Sequence, residues 1–413
     1  MQKESKKILI VGSSAKEYAL AKKIKEYGNE VIVAPGNKCI AEIVKCADIR
    51  ENDVTGLLEY VLENAIDLTI ASSEISIKSD IASIFQVNNQ LIFAPTANSA
   101  EFTYSKAAAK RFLYKQRILA PHFGIYDKLQ SAIDYLKKAS MPQVIYSDIA
   151  FEQGDRLVAS TFSMAKTFVE DLFLKANEKV VLEDYVYGHE FTFYLITDGY
   201  HYVPIVSTAN YKFLENGDGG ILTSGIGAYV PDYKISKEIE SNILKDVVKR
   251  VIESLQNKET PYLGILGIDC VLSEDKCVIL SFRNFLSDHD SDAILSLIDD
   301  NIVDLFMSCV NGTLEDYDSI NLSDKSAVSC VVSSRKENSI IDGLNNVDSS
   351  ITPFNLNKNE YLEYLTKYGK NFVITATAST LSRARKFLYD DLSMINFDGI
   401  KYRTDICEQV EKF

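Results

Sequence analysis

The run Lys7-Ile8-Leu9-Ile10-Val11-Gly12-Ser13-Ser14-Ala15-Lys16-Glu17-Tyr18-Ala19-Leu20 decides how the N-terminal part of this chain is read. The apolar residues Ile8 to Val11 stop at Gly12, the pattern of a buried strand feeding a tight turn. Beyond the turn, Tyr18, Leu20, Ala21 and Ile24 form an apolar stripe that predicts a helix over 17–27. The alternation then repeats. Glu30 to Ala34 reads as a strand stopped by Pro35-Gly36-Asn37, and Val54 to Asn64 as a helix with Leu57, Leu58, Val61 and Leu62 on one face. Leu68 to Ala71 is a strand, Ile77 to Phe85 a helix, and Leu91 to Phe93 a strand ending at Pro95. Such alternation predicts a doubly wound parallel α/β sheet. The turn Gly12-Ser13-Ser14-Ala15 has two readings: a plain connection, or backbone N–H groups and a helix N-terminus held against a phosphate.

Downstream the pattern changes to α+β. Ser105 to Tyr114 reads as a helix carrying Lys106, Lys110 and Arg111, and strands are predicted at 144–146, 157–159, 180–183 and 190–196. Five glycines between Gly217 and Gly227 suggest either a loop approached closely by a ligand or another backbone, or a mobile surface loop. The polar stretch Gly312 to Lys325 is the linker candidate. After it come strands at 328–332 and 371–376 and a helix at 381–388. The expected organisation is three domains: 1–103, 104–320 and 321–413.

The chain has 413 residues, 46% hydrophobic and 25% charged, a globular composition with room for several cores. Its net charge, 44 − 58 = −14, repels phosphate backbones, so nucleic acid is not an expected partner. An anionic small substrate requires a locally basic pocket. Seven scattered cysteines show no CxxC pair, which points to reduced thiols and a cytoplasmic protein. No apolar run reaches the ~18 residues of a membrane span, so no membrane association is expected. The four histidines form no HxH or HxxxH set. Asp288-His289-Asp290-Ser291-Asp292 looks calcium-like but lacks the glycine and closing glutamate of an EF-hand, and is expected to be a solvated acidic loop.

Taken in order, these segments resemble the glycinamide ribonucleotide synthetase (phosphoribosylamine–glycine ligase) family of ATP-grasp enzymes. The family run GNGGREHAL reads Gly12-Ser13-Ser14-Ala15-Lys16-Glu17-Tyr18-Ala19-Leu20 here, and VAPGN is intact as Val33-Ala34-Pro35-Gly36-Asn37. DLTIVGPE is matched by Asp67 to Glu74, IEEFLDGEE by Leu182 to Glu190, TGGMGAYSP by Thr223 to Pro231, and YRKDI by Tyr402 to Ile406. The resemblance runs along essentially the whole chain. It implies an N-terminal pre-ATP-grasp domain, an ATP-grasp core with a lid subdomain at about 121–187, and a small C-terminal α+β domain.

The resemblance also implies a reaction. ATP and Mg²⁺ phosphorylate glycine, and the amine of 5-phosphoribosylamine attacks the acyl phosphate, giving glycinamide ribonucleotide, ADP and phosphate. A monomer or weak homo-oligomer is expected. By position, the ATP site would take Lys106, Glu183, Tyr185, Val186 and Glu190. The substrates would meet Gly12, Glu17, Pro35, Gly36, Asn37, Glu74, Thr223 and Gly225, with Lys212 and Asp218 as catalytic candidates. Other positions depart from the pattern. Tyr146 stands where the family has a phosphate-binding lysine, and Glu152 and Asp155 make the following cover loop acidic. In place of EFNCRFGDPE the chain has Ser281-Phe282-Arg283-Asn284-Phe285-Leu286-Ser287-Asp288-His289-Asp290. Ser281 and Arg283 thus occupy the Mg²⁺-ligand positions. Two functions follow as expectations: the family's ligase, or a catalytically impaired relative that binds nucleotide or a partner protein.

Overall fold

The computed structural model describes residues 5–148, 156–175 and 179–412. The proposed cover-loop residues Glu152 and Asp155 lie outside them. Strands β1 (Lys7–Gly12), β2 (Glu30–Pro35), β3 (Lys45–Cys46), β4 (Leu68–Ala71) and β5 (Ile92–Phe93) form a sheet ordered β3-β2-β1-β4-β5. Every pairing in it is parallel. The helices α1 (Ala15–Glu26), α2 (Val54–Asn64), α3 (Glu74–Lys78) and α4 (Ile81–Val87) connect them. The chain moves from β1 first to β2 and later to β4 on the opposite side. The C-terminal ends of β1 and β4 therefore border a topological switch point, where open α/β sheets form a crevice.

The helix expected at 77–85 is divided in two, because Asp80 takes a left-handed conformation (φ 57°). The break turns its carboxylate to accept from Ala97 N at 2.9 Å, tying the connection to the next helix, α5 (Ala97–Tyr104). Helix α6 (Lys106–Lys115) follows directly.

A second, antiparallel sheet contains β6 (Phe123–Tyr126), β7 (Gln143–Ser147), β8 (Arg156–Ala159) and β9 (Val180–Asp184) in the order β6-β9-β7-β8. Helices Leu129–Leu136 and Phe162–Leu174 cover one face with Leu136, Val169 and Leu172, packed on Ile145 and Leu182.

The third sheet is larger. It contains β10 (His189–Thr197), β11 (Tyr202–Glu215), β12 (Gly219–Val230), β13 (Gly264–Ser273), β14 (Lys276–Arg283), β15 (Ser326–Ser334) and β16 (Ser350–Pro353). After the small pair β17 (Asn357–Lys358) and β18 (Tyr364–Leu365), β19 (Gly369–Ala378) and β20 (Ile400–Lys401) join it. Its order is β14-β13-β10-β11-β12-β15-β19-β16, with β20 on β15. The C-terminal strands thus continue one sheet with the central ones, through the antiparallel β12–β15 pair.

Two expectations are corrected here. The glycine-rich stretch is mostly strand β12, not a loop. Gly225 (φ 121°) and Gly227 are needed because a Cβ would stand 2.3 Å from the His289 ring and 2.3 Å from Ile406, respectively. The close approach is by side chains of the chain itself. The linker candidate Gly312–Lys325 is also packed down. Leu314 and Ile320 are buried in the main core, and Asn321 N donates to Asp300 Oδ2 at 2.7 Å. Among the described residues no helix is long and apolar enough to cross a membrane.

Candidate active site

A cavity of about 370 Å³ opens between the second and third sheets and reaches the N-terminal crevice. Six cations line it: Lys16, Lys106, Arg156, Lys212, Arg283 and Lys370. Six carboxylate residues line it too, Glu74, Glu183, Asp184, Glu190, Asp269 and Asp288, and two of them pair with Lys212 and Arg283. Lys106 stands at the first turn of α6, where burial pulls its pKa down to about 8, with Arg156 and Arg283 pushing the same way against the pull of Asp269. Burial likewise brings Lys370 to about 8, again with Arg156 and Arg283 adding to the effect. Desolvated ammonium groups with other cations nearby gain from an anion placed among them.

The floor is set by the β13–β14 pair, whose register places Asp269 opposite Ser281. Asp269 Oδ2 accepts from Ser281 Oγ at 2.7 Å, and Oδ1 accepts from Arg283 Nε and from Thr192 Oγ1, each at 2.8 Å. The relay continues from Asn210 Nδ2 to Thr192 Oγ1 (2.6 Å), and Asn210 Oδ1 lies 3.0 Å from His289 Nε2. Burial would raise the Asp269 pKa, but Arg283, Lys212 and Lys106 outweigh it and hold the carboxyl well below its usual range.

These residues do not fit Mg²⁺. A hard cation needs several free oxygen ligands in near-octahedral array. Here both Asp269 oxygens already accept from protonated donors, and Arg283 puts a fixed positive charge beside them. No group of three or more His, Cys, Asp or Glu suited to a metal ion occurs among the described residues.

Tyr146 lines the cavity as well. Its phenol bonds to Glu183, and burial first, then Glu183, raises its pKa well above the ordinary value. The Lys106 ammonium lies 5.9 Å from the centre of its ring. Glu183 is buried and ion-paired with Lys110, which also donates to Leu280 O at 2.8 Å. Its carboxylate is therefore committed to the chain. Tyr185 and Val186 line the cavity, as does Glu190, whose Oε2 is 3.0 Å from Lys212 Nζ.

The crevice residues have a different character. Glu17 is buried, with Oε2 accepting from Ser14 N at 2.7 Å and Oε1 from Ser72 Oγ at 2.6 Å. Asp288 Oδ1 accepts from Lys16 N at 3.0 Å. Of the two readings of the Gly12 turn the plain connection is favoured, since carboxylates of the chain itself already accept from the N-terminus of α1. At α6 Asp148 does the same, accepting from Ala107 N and Ser105 Oγ at 2.8 Å each.

Asn37 follows Pro35 and Gly36 and is a loop clamp. Its amide donates to Ser13 O and Phe354 O (2.8 and 2.6 Å), and its oxygen accepts from the Cys39 and Ile40 N–H groups. Gly36 (φ 65°) lies against Cys46, whose Sγ a Cβ would approach to 2.4 Å. Glu74 lines the cavity and pairs with Lys78 at 2.9 Å. Thr223 Oγ1 bridges Lys212 O (2.7 Å) and Gly225 N (3.1 Å), while Gly225 O accepts from Lys370 at 3.1 Å. Asp218 is not brought together with the other candidates. It is exposed, stands outside the cavity lining, and accepts from Arg403 at 2.9 Å.

The sequence reading also missed residues. Asp269 was overlooked, although an acid inside the apolar run Gly264–Ser273 is a legible signal. The expected solvated loop at 288–292 is instead packed in: His289, Asp290 and Ser291 are buried. Asp290 accepts from Tyr194 Oη at 2.9 Å, and burial raises its pKa to about 7. Lys370 gave no local signal, because only the pairing of β19 with β15 carries it to the cleft.

A cleft between a small antiparallel sheet with two covering helices and a larger sheet, joined to a parallel N-terminal domain, is the architecture of an ATP-grasp protein. The structure accordingly resembles the crystal structure of phosphoribosylamine–glycine ligase from Thermotoga maritima, with a TM-score of 0.82 at 21% identity over 97% of this chain and 100% of that one. It also resembles the biotin carboxylase domain of Hydrogenobacter thermophilus 2-oxoglutarate carboxylase, solved with MgADP and bicarbonate (TM-score 0.72, 11% identity, 97% of this chain and 92% of that one). Residues 6–102 match the family model "Phosphoribosylglycinamide synthetase, N domain", and residues 104–291 match "Phosphoribosylglycinamide synthetase, ATP-grasp (A) domain". The chain belongs to this family. It is 28% identical to the phosphoribosylamine–glycine ligase of Clostridium acetobutylicum (97% of this chain, 99% of that one). To that of Allochromatium vinosum it is 29% identical, over 97% of each.

Proposed function

We propose that this cleft binds ATP and that the chain joins glycine to 5-phosphoribosylamine, giving glycinamide ribonucleotide, ADP and phosphate. The observation that carries the reading is the convergence of six cations on one cavity of an acidic chain. The names of its full-length relatives supply the substrates. In this assignment Tyr185 and Val186 flank the adenine, Glu190 meets the ribose hydroxyls, and Lys106, Arg156 and Lys212 hold the phosphates. Glycine and phosphoribosylamine lie toward Lys16 and Glu74 at the crevice. A glycine carboxylate oxygen attacks the γ-phosphorus and ADP leaves; the amine then attacks the acyl carbon and expels phosphate. Fixed cations aimed at the developing charge are what such a transfer needs. The domain assignment 1–103, 104–320 with a lid at 121–187, and 321–413 belongs to the same proposal, and the boundary between the two matched family stretches supports its first division.

A second reading, nucleotide binding without turnover, is favoured by the Ser281–Asp269–Arg283 arrangement and by Tyr146. ADP release in the presence of ATP, Mg²⁺, glycine and freshly made phosphoribosylamine separates the two. Turnover near about 1 s⁻¹, within the common enzyme range, is expected of the ligase. Nucleotide binding with no ADP release selects the second reading.

A further inference from the structure

We infer that Arg283 is a built-in cation that takes the place of a divalent metal, so that the cleft binds its nucleotide without one. The inference rests on the nucleotide assignment, which both readings above share. Three observations carry it. Arg283 sits on β14 directly beside Ser281, at the floor of the cleft, and is held from two sides. Its Nε donates to Asp269 Oδ1 at 2.8 Å, and its Nη1 donates to Ser287 Oγ. Among the described residues its Nη2 bonds to no acceptor, which leaves part of the planar guanidinium available to a ligand on the cavity side.

The surroundings hold no group of three or more His, Cys, Asp or Glu suited to a metal ion among the described residues. Both Asp269 oxygens already accept from donors of the chain, and one of these is the Ser281 hydroxyl. Finally, the carboxylate at the floor has a new place. It is absent from Ser281 but present at Asp269, directly across the β13–β14 pair. There it serves as counter-ion to Arg283 rather than as a metal ligand. A guanidinium pinned through Nε presents its remaining N–H groups as a fork that matches two phosphate oxygens, and it is always charged. It neutralises polyphosphate charge as a bound cation does, with no ion to recruit.

Calorimetric titration of the whole protein with ADP, in chelator and in excess Mg²⁺, tests this. Equal dissociation constants within about threefold are expected. Tightening by tenfold or more in Mg²⁺ would overturn the inference while leaving the nucleotide reading standing. The absence of binding in both buffers would overturn that reading and the inference with it. A second arm replaces the guanidinium. Arg283→Met leaves Asp269 buried and unpaired, so Asp269→Asn, Arg283→Met is measured beside it, with circular dichroism confirming the fold. Loss of a charge-assisted hydrogen bond predicts ADP binding weakened at least about tenfold in chelator. Wild-type affinity in a folded double variant would show that Arg283 does not face the phosphates. In Ser281→Glu, Arg283→Asn, ADP binding is expected to become Mg²⁺-dependent; Mg²⁺-independent binding in that variant counts against the inference.

Discussion

At the N-terminal crevice, Glu17 and Asn37 stand where the family motifs put them, and their polar atoms are taken up by the chain itself: Ser14, Ser72, Ser13 and the loop at Cys39. At β14, where the sequence analysis expects a departure from the family motif, Arg283 lines an open cavity together with Lys106 and Lys212. Motif retention and ligand-facing chemistry are therefore not the same property. The retained residues make turns whose geometry tolerates little substitution. A side chain at Gly12 would meet the Glu17 carboxylate at 2.5 Å. The floor of the cleft is instead a side-chain arrangement on regular strands, where one charge can replace another without altering the backbone.

That contrast makes separate predictions for the two regions. Glu17→Ala should give the largest effect on stability. It strips the half-buried Ser14 N–H of its acceptor and leaves the buried Ser72 hydroxyl only the long bond to Val11 O at 3.4 Å, at a cost of about 3 kcal/mol. Urea unfolding should show this loss while ADP affinity in the folded variant stays within about twofold. Near-normal stability with abolished ADP binding would instead make the crevice the nucleotide site and erase the contrast.

Lys106→Ala should do the reverse. ADP binding should weaken about thirtyfold, as expected for loss of one charge-assisted contact of roughly 2 kcal/mol. Thermal stability should be unchanged or slightly higher, because a desolvated ammonium with Arg156 and Arg283 nearby is removed. A strongly destabilised variant with normal affinity would make Lys106 a structural residue.

The smallest effect is on pH dependence. Lys106 and Lys370 have free-state pKa values of about 8. A bound phosphate favours their charged forms and raises those values. Binding is therefore strongest below pH 8 and weakens as the free ammonium groups lose protons above it. One such group predicts about a tenfold loss of ADP affinity between pH 7 and 9. Calorimetry in buffers of different ionisation enthalpy should show proton uptake near pH 8.5. Flat affinity over this range would detach both lysines from the phosphates.

What was legible in the sequence follows from the range of each signal. Strand–helix alternation around Ile8–Val11, helix α6 with its Ser105 cap, and the turn residues Pro35-Gly36-Asn37 are local patterns, set by hydrophobic period and backbone conformation. They determined the parallel sheet, the α+β change near residue 104, and the family to which the chain belongs. Motif position also drew attention to Ser281 and Arg283 as expected departures. Tertiary structure alone decided what those departures do. Cross-strand register puts Asp269 against Ser281 and Arg283, sheet continuity brings Lys370 from β19 to the same cavity, and chain folding sets Asp288 on the N-terminus of α1. Electrostatic partnership depends on distances of a few ångströms between residues far apart in the chain, and one-dimensional periodicity carries no information about those distances.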